Sequence, residues 1–338
     1  MGAVNFTDQD AAGRARAASG PLTRAVLAAL PAPSIFNTQP WRWRVYDDQA
    51  ELWADRSRQL ATVDPDGRML TLSCGIALHH AVTALAAAGQ TAGIDRLPDP
   101  DRPDLLARLW ITGRHRPEPA DVRRYQAMLI RRTDRRPFPD LPVSAAGMDA
   151  LCEAAEQGGA HLHVLHPDQV VELTVAAGRA AEAELADPEY RAELATWTHR
   201  PATAGDGIPP ATTAPPARRP VPLREFTPDG PAPDTDGDRS ARYALLFTDV
   251  DTPTTWLTAG EALSAVLLAA VAADLSVSPM SDVVEVPASR HLLSGILAGI
   301  GHPLIALRIG VAEPTRGLPP VPRRPAESVI EIEGGERR

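Results

Sequence analysis

Apolar and polar positions along this chain fall into helical and strand periods that alternate from one end to the other. Residues 21–30 read as a short helix with Pro21 near its start. A Pro-rich loop over 31–40 follows. Residues 41–46 and 50–54 alternate large apolar and polar side chains, which predicts a two-stranded hairpin. The turn Asp64-Pro65-Asp66-Gly67 is placed to cap a long helix over 68–89. That helix is apolar on nearly every face, so the pattern predicts burial on all sides. Residues 105–111 read as a strand and 118–131 as a polar helix. The second half predicts a helix over 144–157, a strand near 161–165 and a charged, Ala-rich helical stretch over 167–198. A strand at 241–248, helices at 255–274 and 288–299 and a strand at 303–311 complete it. Between Pro201 and Pro233 stand ten prolines in 33 residues, which no regular core element tolerates. A segment of that kind is either a functional lid or a linker. The tail, 314–338, is again rich in Pro and charge.

A faint repeat crosses this order. Six of seventeen positions match, without gaps, between 73–89 and 258–274, and each run leads through a loop to a strand. Alanine bias inflates such a match. If the repeat is real, the chain holds two related α+β halves, each with a central buried helix. The 338 residues suit two folding units or one large pseudo-symmetric domain.

Composition narrows the function. A net charge of −9 argues against a general nucleic-acid or anionic-membrane surface. Cys74 and Cys152 provide neither a disulfide framework nor a CxxC metal pair, and a reducing cytoplasm fits them. No basic segment followed by an apolar run opens the sequence, so no signal peptide is expected. The uncharged stretch Met69–Ile94 is long enough to span a bilayer. Its small and polar residues and missing aromatic flanks predict a buried helix instead. All 34 basic residues are Arg, and Asn occurs only at positions 5 and 37. A GC-rich genome accounts for both.

Four segments carry candidate chemistry. In Pro33-Ser34-Ile35-Phe36-Asn37-Thr38-Gln39-Pro40-Trp41, four hydrogen-bonding side chains lie within six residues between stiffening prolines. Such a loop either reads the polar edge of a heterocycle or is an ordinary turn before a strand. Arg131-Arg132-Thr133-Asp134-Arg135-Arg136 is either an anion site, since Arg bonds phosphate bidentately, or a solvated helix end. Pro322-Arg323-Arg324-Pro325 is a second, weaker basic cluster. Ser278-Pro279-Met280-Ser281-Asp282 reads as a loop with backbone N–H groups to offer. His79 and His80 are adjacent and point apart on a helix, so they read as core or interface rather than as metal ligands. No metal site is expected. GxGxxG, P-loop and GxSxG motifs are absent from the sequence.

In this order and spacing, Pro33-Ser34-x-x-Asn37-x-Gln39-Pro40-Trp41, Ser73-Cys74-Gly75, Arg131-x-Thr133-x-Arg135 and Pro322-Arg323-Arg324-Pro325 resemble the nitroreductase-like flavoproteins, and more narrowly the Acg-type FMN-binding family of actinobacteria. The likeness spans roughly 20–326. It implies an α+β nitroreductase-like fold with mixed and antiparallel sheets flanked by helices. It also implies a tandem pseudo-dimer of unequal halves, 1–120 and 121–338, the second carrying a Pro-rich lid at about 199–236. The first half has the partner loop but no R-x-S-x-R motif; its nearest candidates are Arg14 and Arg16. The second half has the phosphate motif and arm but no such loop. One complete FMN site per chain, in a monomer, is therefore implied. By the same resemblance Arg131, Thr133, Arg135 and one or both of Arg323 and Arg324 hold the phosphate and ribityl chain. Ser34, Asn37 and Gln39 approach from the other half, and Pro279, Met280 and Ser281 lie along the ring. The implied reaction passes electrons from NAD(P)H, or another donor, to a small-molecule acceptor. The alternative is a flavin-storage protein whose lid, with the Tyr190–Trp197 helix, excludes both.

Overall fold

The computed structural model describes residues 19–198, 200–213, 217–224, 226, 237–311, 318 and 320–333. Its first half runs α1 (Pro21–Ala29), β1 (Trp41–Val45), β2 (Gln49–Ala54), α2 (Arg68–Ala87), β3 (Gln90–Arg96) and β4 (Leu105–Arg114), and α3 (Pro119–Ile130) leads into the second. The second runs α4 (Ala145–Gln157), β5 (His161–Val164), α5 (Pro167–Ala186), α6 (Pro188–Thr198), β6 (Arg242–Thr248), α7 (Pro253–Ala272) and β7 (Leu275–Met280). Then come α8 (Asp282–Glu285), α9 (Pro287–Ile296), β8 (His302–Val311) and a short strand β9 (Ile330–Ile332).

Two sheets form, in the orders β3-β4-β2-β1-β9 and β7-β8-β6-β5. The first four strands of each share one topology, and all six of the pairings among them are antiparallel. Strand β9 has no counterpart in the second sheet; it crosses back from the C-terminus to pair parallel to β1, Trp43 opposite Ile330. Strands β3, β7 and β9 have no counterpart in the sequence reading. Gln90–Arg96 is small and polar because it is a half-exposed edge. Pro279, which suggested a loop, sits in edge strand β7, where its missing N–H breaks no ladder. The 167–198 stretch is two helices. Pro188 cannot continue α5, and the Asp187 carboxylate caps the new start by accepting from the N–H groups of Glu189 and Tyr190.

Helices α2 and α7 cross at the centre. They run buried for most of their length, which explains why both are long and apolar enough to cross a membrane on composition alone. Asp64 caps α2 as its sequence suggests, accepting from Met69 N at 3.0 Å and Leu70 N at 2.8 Å. At the crossing Gly75 faces Gly260, and His79 Nδ1 is hydrogen-bonded to Ser264 Oγ at 2.8 Å. Both pairs are 185 residues apart, the offset of the sequence repeat, and the starts of β3 and β7 (90 and 275) keep it.

The crossing also has a pH signature. Burial, aided by the Arg124 charge, pushes His79 down to about 4. The unfolded chain therefore binds a proton that the folded one refuses. Stability is fully present above the ordinary histidine value and is lost as pH falls toward 4. His79→Gln keeps a partner for Ser264 and removes this dependence. In urea titrations, wild type loses about 2 kcal/mol more than the variant between about pH 7.5 and 5. Equal slopes would contradict the assignment.

Candidate functional site

The C-terminal end of β7, one face of α2 and the 33–36 loop enclose a cavity of about 210 Å3. A second cavity of about 280 Å3 adjoins it and shares Pro33, Ser34, Thr133, Arg135 and Ile208. The first is lined by Met69, Leu72, Ser73 and Ile76, at helical spacing on α2, and by Pro279, Met280 and Ser281. The second is cationic, with Arg131, Arg132, Arg135 and Arg323 around it.

The 33–41 loop is strained. Phe36, Asn37 and Gln39 have φ of 45°, 54° and 49°, the left-handed region that side chains other than Gly rarely adopt. Such strain persists only where the surroundings fix it. Here Ser73 Oγ accepts from Ile35 N (3.1 Å) and Ser34 Oγ accepts from Gln39 N (2.8 Å). Asn37 Nδ2 donates to the carbonyls of Gly207 and Pro322, both at 3.0 Å. Gln39 Nε2 donates to Gly205 O (2.8 Å), and its Oε1 accepts from Arg324 N (2.9 Å). Gln39 and Arg324 line neither cavity. They tie the loop to the 205–207 segment and the C-terminal arm. Arg324 reaches Gln39 O at 3.0 Å and stands 3.6 Å from Asp55. Ser34, Asn37, Arg131, Thr133, Arg135, Pro279, Met280, Ser281 and Arg323 do line the paired cavity. Arg14 and Arg16 lie outside the described residues.

The segment 131–138 is held from behind. Fully buried Arg308 donates to Asp134 O (2.7 Å) and to the Asp238 carboxylate (2.6 Å), which also accepts from Phe138 N (2.8 Å). Arg219 joins Asp238 at 3.0 Å and donates to Arg135 O at 2.9 Å. Thus fixed, Arg131 presents donors with nothing to receive them, whereas Arg135 Nη1 reaches Thr212 O at 3.4 Å and the Arg323 Nη atoms donate to Asn37 Oδ1 (3.1 Å) and Pro31 O (2.7 Å). Arg131 Nε and Nη1 and Arg323 Nε are buried without a hydrogen-bond partner. Burial, then the neighbouring charges of Arg323, Arg132 and Arg135, pushes Arg131 down to about 9. Burial likewise brings Arg135 and Arg323 to about 10. Buried cations with orphaned donors are costly unless an anion joins them. This donor set fits a phosphate dianion.

A cover closes the other side. From α6, the Glu193 carboxylate accepts from the N–H groups of Ala61, Thr62 and Val63. Trp197 and Ile208 pack with Phe36, Leu60 and Val63. Asp206 pairs with Arg58 and Arg200, and both guanidinium groups lie over Trp197. Arg224, 6% exposed in its side chain, bonds Glu184 at 2.5 Å, Glu285 at 2.6 Å and Tyr190 Oη at 2.5 Å, and lies over Phe36. Of the Pro-rich segment expected to form a lid, residues 199, 214–216, 225 and 227–236 lie outside the described residues. Sequence reasoning missed Arg219 and Arg224, which sit in that segment with no local signature. Among the described residues, no group of His, Cys, Asp and Glu is placed to hold a metal ion.

No family model matches the chain. It is 38% identical over 310 residues to a Mycobacterium tuberculosis H37Rv protein named as an NAD(P)H nitroreductase (Rv3131), covering 90% of this chain and 89% of that one. It is 33% identical over 328 residues to acg of the same strain, also named as an NAD(P)H nitroreductase, covering 93% and 96%. Among solved structures, the FMN- and NADPH-dependent nitroreductase NfnB of Sphigopyxis sp. strain HMH aligns at 18% identity with a TM-score of 0.41, over 63% of this chain and 99% of that one.

Proposed function

Since the chain belongs to the Acg-type, nitroreductase-like family, we propose that the paired cavity binds one FMN and that the protein is an FMN-dependent oxidoreductase acting on a small acceptor. The observation that carries this is the set of orphaned, buried donors of Arg131 and Arg323 at one end of a cavity whose other end is mostly apolar. Arg131, Arg135 and Arg323 hold the phosphate, with Thr133 beside them. Ser34 and Asn37 meet the cofactor from the first half, and Pro279, Met280 and Ser281 border the ring. Bound FMN supplies two-electron transfer from NAD(P)H or another donor. The protein orients it and excludes water.

In this reading the halves 1–120 and 121–338 stand in for two subunits, and the molecule is a monomer. The shared strand order and the 185-residue offset support it. The symmetry-related position is unsuited to a second cofactor. Eleven residues, 30–40, join α1 to β1, but only 158–160 join α4 to β5. At the offset, Ile76 corresponds to Glu261 and Ser281 to Arg96. Those two form a bidentate ion pair at 2.6 and 2.9 Å in the corresponding place.

The Arg224 clamp favours a second reading, a flavin holder whose closed cover excludes nicotinamide. Anaerobic addition of NADPH, then NADH, to the FMN-loaded protein separates the two. Bleaching of the visible band on a catalytic timescale is the expected result; no bleaching with either donor overturns the reductase reading. Arg224→Ala removes the cation that joins the cover to α5, α6 and α8. Its bleaching by NADPH is expected at least tenfold faster than wild type if closure limits entry. An unchanged rate shows that the clamp is no gate.

A further inference from the structure

The walls of the paired cavity hold a single carboxylic acid among the described residues, Asp282. It opens α8, two residues beyond the end of β7, and lines the cavity while only 7% exposed. His, Cys and Tyr side chains are absent from the described lining. Building on the FMN reading, we propose that Asp282 is a catalytic proton carrier: it takes up a proton as the bound flavin is reduced and delivers it to the acceptor.

The surrounding charges leave Asp282 in this position. Arg224 faces it from the cover, Glu285 from α8 and Glu184 from α5, with Tyr190 of α6 bonded into the same cluster. One guanidinium thus serves three carboxylates. Arg224 hydrogen-bonds Glu184 and Glu285, leaving Asp282 its longer-range attraction and a bond from Val283 N–H. Arg135 and Arg219 line the same cavity, but Arg219 is paired with Asp238. Burial, then the two glutamates, raises Asp282 to about 6. Negative charge added to the ring end by reduction raises it further, because like charge favours the protonated acid.

The balance is complete. An acceptor gains two electrons and two hydrogens. One hydrogen comes with both electrons from the reduced cofactor; the other comes as a proton from Asp282, which is left as carboxylate. Solvent returns that proton to Asp282 when the cofactor is next reduced.

The test is the flavin midpoint potential of the FMN-loaded protein, measured spectroelectrochemically from about pH 5 to 9. Between about pH 6 and the higher value that Asp282 takes beside the reduced flavin, wild type takes up one proton more per two electrons than Asp282→Asn. That is a tenfold change in the reduction equilibrium per pH unit, about 30 mV. The two slopes converge below pH 6, where Asp282 is protonated in both redox states. Asp282→Glu restores the wild-type slope. Parallel slopes throughout would overturn the proposal while leaving the FMN reading intact; failure of wild type to take up FMN would instead overturn that reading. If Asp282→Asn loses FMN, infrared difference spectra of wild type decide. A protonated-carboxyl band appearing on dithionite reduction at pH 7.5 supports the proposal, and its absence refutes it.

Discussion

Replacing Arg131 and Arg135 together by alanine weakens FMN binding on the order of 100-fold or more. Two charge-assisted bonds to phosphate are lost, at about 1.5–3 kcal/mol each, and every 1.4 kcal/mol is tenfold in affinity. The same change has the opposite effect on the cofactor-free protein. Arg131 is buried beside Arg323, Arg132 and Arg135 with two donors unpaired. Removing uncompensated buried charge relieves that cost, so the double variant without FMN melts no lower than wild type and gains less from added FMN. A change in affinity below about tenfold would place the phosphate elsewhere. A large loss of stability without cofactor would make these arginines part of the scaffold.

The second large effect lies at the helix crossing. A Cβ on Gly75 would overlap the Leu257 carbonyl oxygen and lie 2.9 Å from Gly260 Cα; one on Gly260 would overlap the Leu72 carbonyl oxygen. Neither obstacle is a flexible side chain, so the helices must separate along a fully packed core. Gly75→Ala and Gly260→Ala are each expected to destabilise by about 3 kcal/mol, although alanine is the better helix former by up to about 1 kcal/mol. The double variant should lose less than the sum, because helices already moved apart admit the second methyl more cheaply. Gly178, in α5, provides the control. A Cβ there meets nothing within 4 Å, and Gly178→Ala should stabilise by about 0.5–1 kcal/mol. Denaturant midpoints at constant slope read all four variants. If Gly75→Ala behaves like Gly178→Ala, the close crossing is absent.

What could be read beforehand follows from how local each signal is. Helices α2 and α7 announce themselves by length and high apolar content, and the α2 cap by Asp64. The strands that escaped notice are edges. Gln90–Arg96 and Ile330–Ile332 bury too little for a period to show, and Pro279 disguises β7. In the site, the clustered Arg and the Pro-bounded loop were legible because several unusual residues share a short stretch. The separate duties of Asn37 and Gln39 were not. Both tie the loop to the 205–207 segment, but only Asn37 also lines the cavity, a distinction that two neighbouring amides in a sequence do not display. Arg224 was invisible, since its partners lie 34 to 61 positions away on three elements.

One FMN in one cavity per chain is the central claim, and titration of cofactor-free protein with FMN by calorimetry tests it most directly. The expected end point is one equivalent per 36.1 kDa chain. Two equivalents would mean that the position held by Arg96 and Glu261 is also a site, and no binding would contradict the claim altogether.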